Sequence, residues 1–236
     1  MFTKNSKRAK RGRPPGRTAE GEAARRRLYE TAVALIGERG YEATTLRDVA
    51  GRTGVSVGLL YRYFPSKRAI VLALYDELSD TYAREATEMA KGKWRDRFIA
   101  ALETSLRVLG PHRVTLRALV PVMVGDVEEG VFAQSTAFSR LRVQAVFHDA
   151  VVNAADAPTR KLAEAIGRLL YLLHLAVILW WLLDKSPGQR ATHALVALFR
   201  RLLPSAALTL RLPPVRGFVQ SADALFREAL LDSPEG

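Results

Sequence analysis

Residues 45–67 read TLRDVAGRTGVSVGLLYRYFPSK, and their reading decides the fold. Thr45 with Asp48 three positions on is a capping-box start, in which a hydroxyl and a carboxylate serve each other's free backbone N–H groups. Leu46, Val49 and Ala50 then make one apolar helical face. Gly54 permits a tight turn, Val55 plugs the core beside it, and Ser56 caps a second short helix. Leu60 and Phe64, four apart, share a face of that helix. Pro65 and Ser66 end it and start another, with Lys67 in the first turn. Two short helices joined by a glycine turn describe a helix-turn-helix, whose second helix can enter the DNA major groove.

The pattern GVSxGxLYxYFPSK, carried by Gly54, Val55, Ser56, Gly58, Leu60, Tyr61, Tyr63, Phe64, Pro65, Ser66 and Lys67, resembles the TetR family of bacterial transcriptional regulators. The close match runs over roughly residues 28–74, and beyond it the resemblance is one of architecture. It implies an all-α protein with an N-terminal helix-turn-helix domain of three helices, joined to a larger helical domain that binds an effector and dimerises. By the same resemblance Thr45, Tyr61, Tyr63 and Lys67 contact the DNA backbone, and Arg47 stands where some members place a base-contacting arginine. Ser56, Val57, Gly58 and Leu59 open the recognition helix, and here the chain departs from the family. Val57, Gly58 and Leu59 have no side-chain donor where polar residues are common, so hydrogen-bonded readout leans on Arg47, the basic arm and DNA shape.

Charge supports that partner. The chain of 236 residues has 36 Lys and Arg against 24 Asp and Glu, a net of +12. Residues 1–68 hold 16 basic and 6 acidic residues, so the excess sits at the front. A basic front end on a nearly neutral body fits a polyanion partner for that end alone. Residues 1–17 carry seven Lys and Arg and no acid, a composition expected to stay disordered. Arg11, Arg13 and Arg17 lie there, and the RGRP run at 11–14 looks like an AT-hook core. Two readings stay open for it: arginines inserted in a narrow minor groove, or a solvated tail drawn to phosphate.

Outward from the helix-turn-helix, residues 20–38 form a helix with Leu28, Ala32, Leu35 and Ile36 on one stripe. A longer helix from residue 66 to about 89 carries Ile70, Leu74, Leu78 and Tyr82 on one face. Residues 90–93 break the pattern. The expected domains are therefore a basic arm at 1–17, a DNA-binding domain at 18–90 including the connecting helix, and an effector and dimerisation domain at 91–236. Helices are expected over 94–109, 113–122, 127–152, 158–183, 187–203 and 215–231, with no β alternation. The apolar run 169–183 falls short of the roughly 20 residues that span a bilayer and reads as a buried helix.

Pocket candidates in the second domain are Trp94, Phe98, Leu102, Met123, Phe138, Arg142, Tyr171, His174 and Trp180, bulky apolar walls with a few polar tips. His174 and Arg142 would suit an anionic or phenolic ligand if both face one cavity. Leu170, Val177 and Trp181 on one helix, with Leu195, Leu198, Phe199 and Leu202 on another, are the expected four-helix interface of a homodimer.

Catalysis finds no motif: no glycine-rich phosphate loop, no HExxH and no nucleophile elbow. There are no cysteines, and the four histidines lack metal-ligand spacing, so no cofactor or metal is expected. Asp126, Glu128 and Glu129 read as a solvated loop, and Asp184 as helix-end punctuation. The expectation is a cytoplasmic, homodimeric repressor released from its DNA operator by a small, largely apolar ligand. The alternative is a ligand-independent, architectural DNA-binding protein driven by the arm.

Overall fold

The computed structural model describes residues 19–231, so the arm and its Arg11, Arg13 and Arg17 lie outside the described residues. Helix α1 (Ala19–Arg39) places Glu20 and Glu22 in its first turn and Arg39 in its last, which complements the helix dipole. It buries Leu28, Ala32, Val33, Leu35 and Ile36. Helix α2 (Leu46–Thr53) opens with the capping box: Thr45 Oγ1 accepts from Asp48 N at 3.2 Å, and Thr45 N donates to Asp48 Oδ2 at 3.0 Å. Gly54 ends α2 at φ 68°, a left-handed conformation that costs glycine nothing. Ser56 Oγ caps α3 (Val57–Tyr63) by accepting from Leu59 N, and Ser66 Oγ caps α4 (Lys67–Ala86) by accepting from Ala69 N.

The remainder is α5 (Trp94–Leu109), α6 (Arg113–Ala118), α7 (Val120–Gly125), α8 (Ala137–Val152), α9 (Arg160–Leu183), α10 (Arg190–Thr209) and α11 (Pro213–Leu230). No strand occurs among the described residues, and the protein is all-α.

Three expected helices differ. The span 113–122 breaks at Leu119, because Pro121 at the start of α7 has no N–H to continue the ladder. The span 127–152 begins only at Ala137. Asp126 Oδ1 accepts from Glu128 N and Glu129 N, both at 2.7 Å, and closes a tight loop instead. Gly130 belongs to that loop, since a Cβ there would stand 2.3 Å from the Asp126 carbonyl oxygen. The span 187–203 runs on to Thr209 through Pro204.

Two apolar cores result. The first joins α1–α4 with Leu116, Leu119 and Val122 of α6 and α7 and with Ile178, Trp181 and Leu182 of α9. Packing therefore continues across residue 90. Thr115 Oγ1 donates to the Val33 carbonyl at 3.0 Å, and Arg113 donates to the carbonyls of Trp181 and Asp184, fastening α6 to both α1 and α9. The second core joins the end of α4 with α5, α8, α9, α10 and α11. Buried or half-buried ion pairs stitch it: Arg97 to Asp149 at 2.6 Å and Arg168 to Asp223 at 2.6 Å.

Helix α9 is longer than its apolar run, because residues 160–168 extend it. By length and hydropathy alone it could cross a membrane, yet half of its most apolar window is buried against the two cores. Leu170, Val177 and Trp181, expected at a dimer interface, are only 7%, 2% and 5% exposed and face their own protomer. A helix apolar on all sides gives no sequence signal for which face turns inward. Its outer side carries Ala176, Trp180 and Leu183, all exposed. On α10, Leu198 and Leu202 are exposed, while Leu195 and Phe199 pack against the second core.

Candidate DNA interface and ligand cavity

The helix-turn-helix presents its outer face as the caps require. Thr45, Arg47, Ser56, Val57, Gly58 and Tyr61 are exposed, Leu59 and Tyr63 half-buried. Phe64 and Leu60 are buried and hold α3 against α1; the Phe64 ring stacks on Tyr29 at 6.4 Å. Arg62, which sequence reasoning passed over, is exposed on α3 between the two tyrosines, and it has no carboxylate partner among the described residues. The Thr45 hydroxyl and backbone hold the Asp48 carboxyl below its usual range, so it stays an acceptor.

Lys67 is a correction. Expected as an outward phosphate contact, it is half-buried; its Nζ donates to the Tyr41 carbonyl at 2.5 Å and lies 4.0 Å from the Tyr41 ring centroid. The carbonyl just past α1 lacks a helical partner; it accepts a long bond from Thr44 N at 3.3 Å and the shorter one from this ammonium. The Tyr41 hydroxyl in turn donates to Glu129 at 2.8 Å. Arg68 pairs with the Glu128 carboxylate and donates to its carbonyl. Asp126 and Glu128 are exposed, as read from the sequence, and Glu129 is half-buried; through Tyr41 and Arg68 the loop is tied to the turn after α1 and to the first turn of α4.

A cavity of about 120 Å³ lies between α4, α8 and α9. Tyr75, Leu78, Ser79 and Tyr82 of α4 form one wall, and Ser139, Arg140 and Val143 of α8 another. Tyr171, His174, Leu175 and Ile178 of α9 face them, with Ser105 of α5, Met123 of α7, and Val131 and Thr136 at the mouth of α8. His174 Nε2 is 2.8 Å from Ser105 Oγ, and its ring packs 4.8 Å from Phe147 and 6.2 Å from Tyr82. Burial drives its pKa down to about 3, so the imidazole is neutral at physiological pH. Burial likewise pushes the Tyr75, Tyr82 and Tyr171 phenols up, which keeps them protonated. Tyr75 Oη, Tyr82 Oη and His174 Nδ1 are buried without a hydrogen-bond partner.

Of the expected pocket residues, Met123, Tyr171 and His174 line this cavity. Phe98 and Leu102 are fully buried core beside it. Trp94 lines a separate groove with Arg95 and Asp156. Phe138 and Trp180 are 38% and 51% exposed, on the outside. Arg142 donates to Asp76 Oδ1 at 3.0 Å and Ser79 Oγ at 2.8 Å, binding α8 to α4 outside the cavity. The arginine that lines the cavity is Arg140, two positions earlier. Two residues turn a helix by about 200°, so the choice depended on a helix phase that periodicity left open.

Asp184 accepts from Thr192 Oγ1 and Ser186 Oγ, each at 2.7 Å, and from both their amides. Those bonds hold its carboxyl far below the usual range and make it the cap of α10. No cluster of His, Asp or Glu with metal-holding geometry occurs among the described residues.

Residues 28–74 match the family described as bacterial regulatory proteins, tetR family. The HTH-type transcriptional repressor KstR2 of Rhodococcus jostii is 34% identical over 108 residues, 45% of this chain and 45% of that protein. The HTH-type transcriptional regulator EthR of Mycolicibacterium smegmatis is 25% identical over 191 residues, 80% of this chain and 88% of that one. The match to KstR2 thus spans less than half of that relative's length. Among solved structures, a TetR transcriptional regulator from Nitrosomonas europaea superposes with a TM-score of 0.56 at 23% identity, over 79% of this chain and 99% of that one. Its likeness extends the shared fold beyond the helix-turn-helix. Residues 28–74 thus carry the helix-turn-helix domain of the tetR family of bacterial regulatory proteins.

Proposed function

We propose that the protein is a cytoplasmic, homodimeric transcriptional repressor that leaves its operator when a small ligand fills the cavity. The observation that carries this is the course of α4. It begins at Lys67 beside α3, and its Tyr75, Leu78, Ser79 and Tyr82 form a wall of the cavity. A ligand that pushes that wall moves the recognition helix, and a coupling of about 1–3 kcal/mol suffices for regulation. The acidic loop supplies a second link, since Val131 lines the cavity while Glu128 and Glu129 hold Arg68 and Tyr41. An apolar cavity against α4 favours this over the ligand-independent architectural reading, which needs only a solid core. Relatives named as a transcriptional repressor, KstR2, and a transcriptional regulator, EthR, support the regulatory part of this assignment.

The dimer rests on exposed apolar residues of α9 and α10, Trp180, Leu183, Leu198 and Leu202, which a partner copy would cover. Its check is sedimentation of Leu198→Glu/Leu202→Glu, expected as a monomer where the parent is a dimer.

The function is tested by selection from random-sequence DNA, full length against a chain lacking residues 1–17. A palindromic motif kept in both supports the paired helix-turn-helix reader, with half-sites about 34–36 Å apart. An unphased A·T-rich motif lost on truncation supports the arm-driven alternative, and no enrichment sinks both.

A further inference from the structure

Among the residues lining the cavity there is one full positive charge and no negative one. The positive charge is Arg140; the other polar linings are hydroxyls and His174, and no Asp, Glu or Lys takes part. Arg140 has no carboxylate partner among the described residues, whereas Arg142 on the same helix is paired with Asp76. Its Nη1 donates to the carbonyls of Val131 at 3.3 Å and Ala133 at 3.1 Å. Its Nε and Nη2 carry no hydrogen bond among the described residues and are not sealed from solvent or cavity. A guanidinium facing apolar walls with donors to spare is built for a planar anion, because its fork matches a carboxylate bidentately. The hydroxyl of Tyr171 lies within its field, since Arg140 opposes the upward push of burial on that phenol.

Size sets the rest of the ligand. About 120 Å³ holds a body of roughly one ring, given that a 150 Å³ apolar cavity accepts benzene. A second apolar groove of about 270 Å³ lies on the far side of Met123, Val131, Leu175 and Ile178, which line both. Met123, an unbranched side chain with three rotatable bonds, stands between the two.

We infer that the cavity takes a small apolar monoanion, an aromatic or short aliphatic carboxylate, with its charged end on Arg140 and its body against α4 and α9. This rests on the ligand-responsive reading above and names the chemistry of its ligand. The carboxylate takes the spare Nε and Nη2 donors side by side, and by drawing the guanidinium toward itself it lengthens the Nη1 bonds to the Val131 and Ala133 carbonyls. It thereby loosens the loop whose Glu128 and Glu129 hold the DNA-binding helices.

The test uses matched pairs of equal shape and different charge on the full chain: benzoate against benzamide, and octanoate against octanamide, by calorimetry at pH 7. The expected result is at least about a tenfold preference for the carboxylate in one pair, falling to near onefold in Arg140→Gln. Because Arg140→Gln also removes loop hydrogen bonds, the parent protein's own carboxylate-to-amide ratio decides the matter without any variant. Amides that bind as well as the acids overturn the anion while leaving a ligand cavity standing. A preference that survives Arg140→Gln overturns the role of Arg140. Absence of binding by all four overturns the proposed ligand class and leaves the ligand-responsive reading standing. The preferred acid is then added to the selected operator complex. Tight binding without loss of DNA affinity upholds the ligand class and overturns ligand release.

Discussion

The helix-turn-helix and the cavity are built in opposite ways. Residues 45–67 make their structure from partners three or four positions apart: Thr45 with Asp48, Ser56 with Leu59, Ser66 with Ala69. The cavity draws on α4 to α9, and its Ser105 and His174 meet across 69 positions. Local chemistry fixes the first almost by itself; the second exists only once two cores have packed. Substitutions in the two regions should therefore differ in kind, and four of them sharpen or break the contrast.

The largest effect belongs to Phe98→Ala. Phe98 is fully buried beside the cavity rather than on its wall, packed 5.9 Å from Phe147. Removing a buried phenylalanine costs about 3–5 kcal/mol, read from urea unfolding. A loss under about 1 kcal/mol, with a gain in ligand size tolerated, would return Phe98 to the pocket.

Next comes acid. His174 is neutral in the fold with a pKa of about 3, against an ordinary value of about 6.5 in the unfolded chain. The unfolded state then binds the extra proton between those values. Stability from this group is complete above pH 6.5 and drains as pH falls toward 3, at about 1.4 kcal/mol per pH unit. Between pH 7 and 5 the parent should lose about 2 kcal/mol more than His174→Gln does, by chemical unfolding at each pH. Equal slopes in the two proteins would mean that water reaches the ring, and that the cavity is wetter than its packing shows.

Gly130→Ala tests the loop between the two regions. Its new Cβ would stand 2.3 Å from a backbone oxygen, so the loop must move, at a cost of about 1–3 kcal/mol. The loop carries Glu128 and Glu129, so DNA affinity should change along with stability. Loss of stability with DNA affinity and ligand response unchanged would cut the loop out of the coupling path.

These contrasts also explain what sequence could and could not disclose. The all-α fold, the three caps and the glycine turn were legible because each depends on neighbours within one turn of chain. The start of α8 was not, because a turn closed by Asp126 and Gly130 competes with a helix over residues that tolerate both. That misplaced start, and an unknown phase, selected Arg142 over Arg140. The inward face of α9 was hidden for a different reason: Val177 and Trp180 are similarly apolar, and only tertiary packing buries the first and exposes the second. The role of Lys67 was missed because the carbonyl it satisfies lies 26 positions away.

The smallest effect comes from the most legible feature. Thr45→Ala removes the hydroxyl that accepts from Asp48 N, and leaves the Asp48 carboxylate bonded to the Thr45 backbone alone. A lost N-cap costs typically about 1 kcal/mol. Because α2 is only eight residues long and cannot stand alone, that loss should appear in the helix-turn-helix as faster amide exchange in α2, with α8 and α9 unchanged. Exchange that quickens equally in α9 would mean that the first core, which α9 shares through Ile178, Trp181 and Leu182, unfolds as one unit with the DNA-binding helices. The distinction between a locally built reader and a globally built cavity would then hold for how the two form, and fail for how they come apart.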